Sequence, residues 1–153
     1  MNASASLEIA APIAGRRWLV VDDECDLAEI IADLLTPMNA DGIESYSSPI
    51  DALQSLFSQP EDIELLITDR DMPGLDGLEL ARQFRKEAPR AKILLVSARI
   101  KDLSAAELRE AGIDHVLQKP FSIGKLESLV RKVVFDSRTS AVRCRLLALP
   151  SAA

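Results

Sequence analysis

Short apolar runs alternate with stretches of helical periodicity over most of the chain. Trp18, Leu19, Val20 and Val21 form an unbroken apolar run within residues 17–22, the pattern of a strand buried on both faces. Leu27, Ile30, Ile31, Leu34, Leu35 and Met38 follow at helical spacing. A weaker strand is predicted over 43–47. Ser48-Pro49 then opens a helix, with Pro at the first helical position. Leu53, Leu56 and Phe57 mark its apolar face. The second half continues the alternation. Residues 64–69 read as a strand, and a Pro/Gly-rich loop follows over 70–77. Leu78, Ala81 and Phe84 mark a helix that Pro89 terminates. Residues 92–97 form a strand, and 104–112 a less apolar helix ending at a glycine suited to a C-cap. Residues 115–118 form a short strand. Leu126, Leu129, Val130, Val133 and Val134 mark the last helix.

Five strands separated by helices imply an α/β fold with a parallel sheet covered on both faces. Crossovers in such sheets are right-handed, so the helices divide between the two faces. Ligands then bind beyond the carboxyl ends of the strands.

Length and charge limit what such a fold can be. The 153 residues suit one domain. At 48% apolar the chain is too hydrophobic for disorder. Apolar runs such as 18–21 and 93–96 fall far short of the roughly 20 residues that span a bilayer. Residues 1–16 contain Glu8 and lack a basic start, unlike a signal peptide. These features predict a soluble, cytoplasmic chain without membrane attachment. A net charge of −6 argues against direct nucleic-acid binding. Residues 136–153 carry three Arg against one Asp, a basic tail on an otherwise acidic chain. Cys25 and Cys144 have no Cys or His at zinc spacing, and read as free thiols in a reducing compartment.

The predicted strand ends carry a particular set of polar residues. Strand one ends in Asp22-Asp23, strand three in Thr68-Asp69, strand four in Ser97, and strand five at Lys119-Pro120. If these strands are neighbours, one edge holds three carboxylates, a hydroxyl and an ammonium. Like charges disfavour joint ionisation. Lys119 supplies one counter-charge, and an oxygen-only donor set suits Mg²⁺ for the rest. A carboxylate beside Mg²⁺ and a lysine can attack a phosphoryl group and become an acyl phosphate. Lys119 would hold the phosphate as a point charge, and the Ser97 hydroxyl could hydrogen-bond a phosphoryl oxygen. Taken singly, each has an ordinary structural reading: an acidic helix start, a turn serine, a surface lysine. Pro73-Gly74 and Asp76-Gly77 read as loop chemistry. The conjunction carries the argument.

With these residues in place, the sequence resembles the receiver domain of bacterial two-component response regulators. The matching segments are V-V-D-D-E at 20–24, L-L-I-T-D-R-D-M-P-G-L-D-G-L-E-L at 65–80, I-L-L-V-S-A at 93–98 and A-G-I-D-H-V-L-Q-K-P-F at 111–121. The resemblance implies a flavodoxin-like, doubly wound (βα)5 fold with a five-stranded parallel sheet in the order 2-1-3-4-5. It implies a receiver domain over 16–135, preceded by a flexible extension over 1–15. The tail over 136–153 is either flexible or an extension of the last helix, with flexibility the default. By position, Asp69 would be the phosphoacceptor. Asp22 and Asp23 would be the Mg²⁺-binding pair, and Asp71 would offer its backbone carbonyl to the metal. Ser97 would be the switch hydroxyl and Lys119 the phosphate contact, with a cis Lys119–Pro120 bond. The phosphoryl donor would be a histidine kinase or histidine phosphotransfer protein. The family's output surface is the face built by the fourth helix, fifth strand and fifth helix. Through it the domain would control a downstream protein or form a homodimer.

Two features depart from the family pattern or vary within it. Val116 stands three residues before the lysine, where the family usually carries an aromatic residue that swings inward on activation; a valine cannot report phosphorylation that way. His115 beside it reads as a partly exposed residue without a role. Asp71 and Arg99 occupy two variable positions flanking the site. Their opposite charges predict a pair over the phosphate that restricts water, with little effect on stability because it is exposed.

Three functions compete. The first is a stand-alone phospho-accepting receiver, since the residues after Val134 are too few for an output domain; a receiver cut from a larger hybrid protein fits equally. The second is a haloacid-dehalogenase-like phosphatase, which also uses an Asp-x-Asp, a Ser/Thr, a Lys and an acidic pair. There the nucleophile comes early and the acidic pair late, the reverse of the order here. The third is a pseudo-receiver that binds proteins without phosphate. Such degenerate members usually lose an acidic residue or the lysine, and this chain retains them all.

Overall fold

The computed structural model describes residues 16–39 and 42–148, with side chains through Asp136. The expected extension over 1–15 and the last residues of the tail lie outside them. Five strands, β1 (Arg17–Val21), β2 (Ile43–Tyr46), β3 (Ile63–Asp69), β4 (Lys92–Ser97) and β5 (His115–Gln118), alternate with five α-helices. The helices are α1 (Cys25–Leu35), α2 (Pro49–Ser58), α3 (Gly77–Glu87), α4 (Ala105–Ala111) and α5 (Ile123–Ala148). All strand pairs are parallel, in the order β2-β1-β3-β4-β5. This is the flavodoxin-like order expected above.

The alternation of side chains along each strand divides the core in two. Trp18, Val20, Leu65, Ile67, Leu94, Val96 and Leu117 pack against Ala28, Ile31 and Leu35 of α1 and Leu126, Val130, Val133 and Val134 of α5. Leu19, Val21, Leu66, Ile93 and Leu95 face the other way, against Ala52 and Leu56 of α2, Leu78, Leu80, Ala81 and Phe84 of α3, and Ala111 of α4. Both faces of the central strands are thereby dry, which is why those strands read as continuous apolar runs rather than alternating ones.

Helix ends follow local chemistry. The Asp76 side chain caps α3 by accepting from the Glu79 N–H at 2.8 Å. Ser104 and Glu107 form a reciprocal capping box at the start of α4, and Gly112 ends that helix at φ +74°, a conformation suited to glycine. Beyond Gly112, Asp114 ties three elements together. Its Oδ2 accepts from the Ile93 N–H at 2.8 Å and from the Arg85 guanidinium at 2.9 Å. Arg85 donates in turn to the carbonyls of Pro89, Ala91 and Gly112.

Several details differ from the sequence pattern. The first helix stops at Leu35, and Thr36–Met38 continues as a 3₁₀ turn, because Pro37 lacks the N–H that another α turn would use. Ile30 and Phe57, expected on apolar faces, are both more than half exposed. The buried stripes run through Ala28, Ile31 and Leu35 and through Ala52 and Leu56, and each of the two outliers lies about 100° around its helix from the stripe. The last helix continues past Asp136 to Ala148. Among the described residues no helix is long and apolar enough to cross a membrane.

Phe84 has no exposed surface, whereas Phe57 is 56% exposed. Phe84→Ala is expected to lower stability by about 3–5 kcal/mol, and Phe57→Ala by about 0.5 kcal/mol or less. Urea unfolding of both variants checks this; equal losses would contradict the assignment of the two faces.

Candidate functional site

The strand register explains which polar residues meet. Val21 pairs with Thr68, Thr68 with Leu95, and Leu95 with Val116. Asp22, Asp69 and Lys119 each lie two residues beyond an apolar residue of the α1/α5 face, namely Val20, Ile67 and Leu117. With a side-chain period of two, all three continue that face to the carboxyl edge of the sheet. Ser97 follows Leu95, on the opposite alternation.

Side chains from three strand ends converge there. The Lys119 ammonium donates to Asp69 Oδ1 at 3.1 Å and to Asp22 Oδ2 at 3.2 Å. Asp22, Asp23 and Asp69 bring carboxylate oxygens within 4.8 Å of one another. Asp22 and Asp69 are buried, and Asp23 is exposed. One oxygen of Asp22 also accepts from the Glu24 N–H at 2.9 Å, which fixes the carboxylate at the entry to α1. The expected Lys119–Pro120 cis bond is present.

The charges do not cancel. Burial pushes the Asp69 carboxyl above the usual carboxylate range, and the charges of Asp22 and Asp23 push the same way. Lys119 opposes this only in part. Burial by itself would lower the Lys119 ammonium, but its bonds to Asp69 and Asp22 and their charges outweigh it and hold the group above its usual value. Three carboxylates share one ammonium, a surplus of negative charge that a cation can neutralise. The donors are all oxygens, with no His or Cys among them, so the set fits a hard divalent cation such as Mg²⁺.

The remaining sequence candidates fall at the rim or behind it. Ser97 is fully buried, and its Oγ accepts from the Arg99 N–H at 3.0 Å. The Asp71 side chain is 52% exposed and lies 3.2 Å from the Arg99 guanidinium, which is the pairing expected from their charges. Val116 is partly buried and packs against the α2/α3/α4 side of the core. His115 is half-buried at the start of β5, in the first position of the strand, three residues before its carboxyl end.

Gly77 reads in the sequence as loop chemistry alone, and the structure gives it a second role. Gly77 opens α3 directly against the phosphoacceptor candidate: a Cβ there would lie 2.2 Å from the Asp69 carbonyl oxygen and 2.9 Å from the Arg70 Cα. Its N–H donates to the Arg70 carbonyl at 2.8 Å. The buried Thr68 hydroxyl donates to the same Asp69 carbonyl at 2.9 Å. Both support the backbone that aims Asp69. The Asp-Gly pair seven residues after Asp69 was the available signal, but it has no distinctive meaning until the loop folds back.

Comparisons with known proteins agree with this arrangement. The sequence matches the response regulator receiver domain over residues 18–131. It is 30% identical to the transcriptional regulatory protein CpxR homolog of Haemophilus influenzae over 120 residues, 76% of this chain and 51% of that protein. The chain thus spans about half the length of that relative. It is 26% identical to chemotaxis protein CheY-3 of Vibrio cholerae, across 75% of this chain and 88% of that one. In three dimensions it resembles the response regulator protein TrrA of Thermotoga maritima, solved in complex with Mg(2+)-BeF. The TM-score is 0.66 at 32% identity, covering 77% of this chain and 98% of that one. A carboxylate cluster braced by a lysine, at the edge of a 2-1-3-4-5 sheet and within a sequence matched over residues 18–131, places this chain in the response regulator receiver domain family.

Proposed function

We propose that the chain is a phospho-accepting receiver that takes a phosphoryl group onto Asp69 from a histidine kinase or histidine phosphotransfer protein. The observation that carries this reading is the Lys119 ammonium held between Asp69 and Asp22, with Asp23 completing the oxygen cluster. Asp22, Asp23 and Asp69, with the Asp71 backbone carbonyl, would hold Mg²⁺. When bound, the metal would neutralise charge on the transferring phosphoryl oxygens.

In the transfer, an Asp69 carboxylate oxygen bonds to phosphorus as the donor's N–P bond breaks, and the electron pair returns to the imidazole. Lys119, already 3.1 Å from Asp69, holds a phosphoryl oxygen by charge. Ser97 provides the switch hydroxyl, whose proton can be donated to the phosphoryl group while its oxygen accepts from Arg99 N–H. The chain acts as a cytoplasmic signalling module rather than a multiple-turnover enzyme. Its output passes through the α4-β5-α5 face to a partner protein or a second copy. With Val116 in β5, that output cannot use the rotation of an aromatic ring at this position.

Intact mass after incubation with acetyl phosphate tests the reading. One phosphoryl adduct is expected, dependent on Mg²⁺ and absent from Asp69→Ala. No adduct on the folded wild type in Mg²⁺ would instead favour a phosphate-independent binding module, and turnover of a phosphomonoester would favour a phosphatase.

The charge surplus makes a second prediction. Asp69 is raised in the folded state, so the fold favours its protonated form. That contribution is present below the unfolded value of about 3.9 and lost as pH rises through the folded value. At pH 7 without metal, ionised Asp69 therefore costs stability. Asp69→Asn is expected to melt higher than wild type there, with the difference narrowing towards about pH 4. Mg²⁺ is expected to raise the wild-type melting temperature more than the variant's. A variant that melts lower at neutral pH without Mg²⁺ would contradict the surplus.

A further inference from the structure

We infer that Arg70 couples phosphorylation of Asp69 to the position of α4, by completing an ion pair with Glu107 in the first turn of that helix that the unphosphorylated chain leaves open. This inference rests on the phosphoacceptor reading above. Arg70 Nη1 is enclosed by protein yet has no hydrogen-bond partner, the only side-chain atom among the described residues in that condition. A buried donor without an acceptor costs free energy, so a movement that brings an acceptor to it is favoured.

The backbone of Arg70 is fixed. Its N–H donates to the Val96 carbonyl at 3.0 Å, and its carbonyl accepts from the Gly77 N–H at 2.8 Å. It stands one residue beyond the Asp69–Val96 pair, level with Ser97. With a side-chain period of two it falls on the alternation of Leu66, Leu95 and Val116, the side of the sheet that α3 and α4 cover. The side chain therefore leaves the sheet away from the acidic cluster and towards those helices.

Glu107 is the acceptor on that side. Its carboxylate closes the capping box of α4, accepting from the Ser104 N–H at 2.9 Å. Bonds to Ser104 hold Glu107 below the usual carboxylate range, and the charges of Arg70 and Arg82 add to this. Arg82 is already bonded to Glu79 at 2.9 Å, which leaves Arg70 as the uncommitted cation. Ser97 links the two ends. Its Oγ accepts from the Arg99 N–H at 3.0 Å, in the segment that leads from β4 to the Ser104 cap. When that hydroxyl turns to a phosphoryl oxygen, the segment and the cap move towards the sheet, and Glu107 closes on Arg70. Val116, on the same face, has no polar group that could change partners. Arg70 acts through Glu107 and is a positioning residue.

The test measures amide exchange of α4 by peptide mass spectrometry on the whole chain, with and without acetyl phosphate and Mg²⁺, while intact mass follows the adduct. Arg70→Met keeps the stem and removes the charge. Glu107→Gln removes the charge and keeps a side chain that can close the capping box. In wild type, phosphorylation is expected to slow exchange over residues 107–111 by about two- to fivefold, as an ion pair at the surface would. Each single variant is expected to lose that slowing while exchanging like wild type in the absence of acetyl phosphate, and the double variant is expected to match the singles. No slowing in the phosphorylated wild type, slowing that survives in either single variant, or faster exchange by the same factor with and without the phosphoryl group would each overturn the coupling while leaving the phosphoacceptor reading intact. Glu107→Gln lies outside the acidic cluster, so it decides the question even if Arg70→Met takes no adduct. Absence of any Mg²⁺-dependent adduct on the wild type would overturn both.

Discussion

Negative charge gathered at one edge of a parallel sheet is the constraint around which the structure is arranged. Asp22, Asp23 and Asp69 share a small volume, and two of them are buried. Lys119, from the far end of the chain, spans Asp22 and Asp69. Without that ammonium the cluster would be an uncompensated buried charge, which is strongly disfavoured. With it, a surplus remains that suits a divalent cation and a phosphoryl group. The α/β core supports this balance by holding β1, β3 and β5 in register, so that residues 50 and 97 positions apart in sequence meet within hydrogen-bonding distance.

The rigid and adjustable parts of the site are separated. Asp69 is held from behind by Gly77, by the Thr68 hydroxyl and by the β3–β4 ladder. Its position follows from the packing of the core. The rim is different: Asp71, Arg99 and Asp102 are exposed and joined by ion pairs. Such contacts contribute little to stability and can rearrange with little cost. Under the proposed function, phosphorylation would act between the two regimes, on a fixed Asp69 beneath a movable rim. Under the proposed function, Val116, partly buried against the α2/α3/α4 side of the core, leaves no aromatic ring at that position to change its environment.

Much of this was legible along the chain. All five strands, the glycine cap at Gly112 and the principal site residues follow from apolar runs, turn chemistry and the polar residues at strand ends. The errors have physical causes. Ile30 and Phe57 fall on the apolar faces by periodicity yet are exposed, because apolar character and approximate periodicity cannot show which part of a broad stripe meets the sheet. Gly77 looks like a loop glycine in the sequence because its close approach to the Asp69 carbonyl depends on how the loop returns.

The sequence by itself determined the alternation of elements, the doubly covered parallel sheet and the types of polar group at the strand ends, since these depend on local periodicity and side-chain chemistry. Only the tertiary structure decided that Asp22, Asp69 and Lys119 share one face while Ser97 lies on the other alternation, and that Arg99 reaches Asp71. Those facts depend on strand register and on side-chain conformations at the rim. A shift of one residue in any strand would turn its polar end to the opposite face, and periodicity along a single chain does not specify the register between strands.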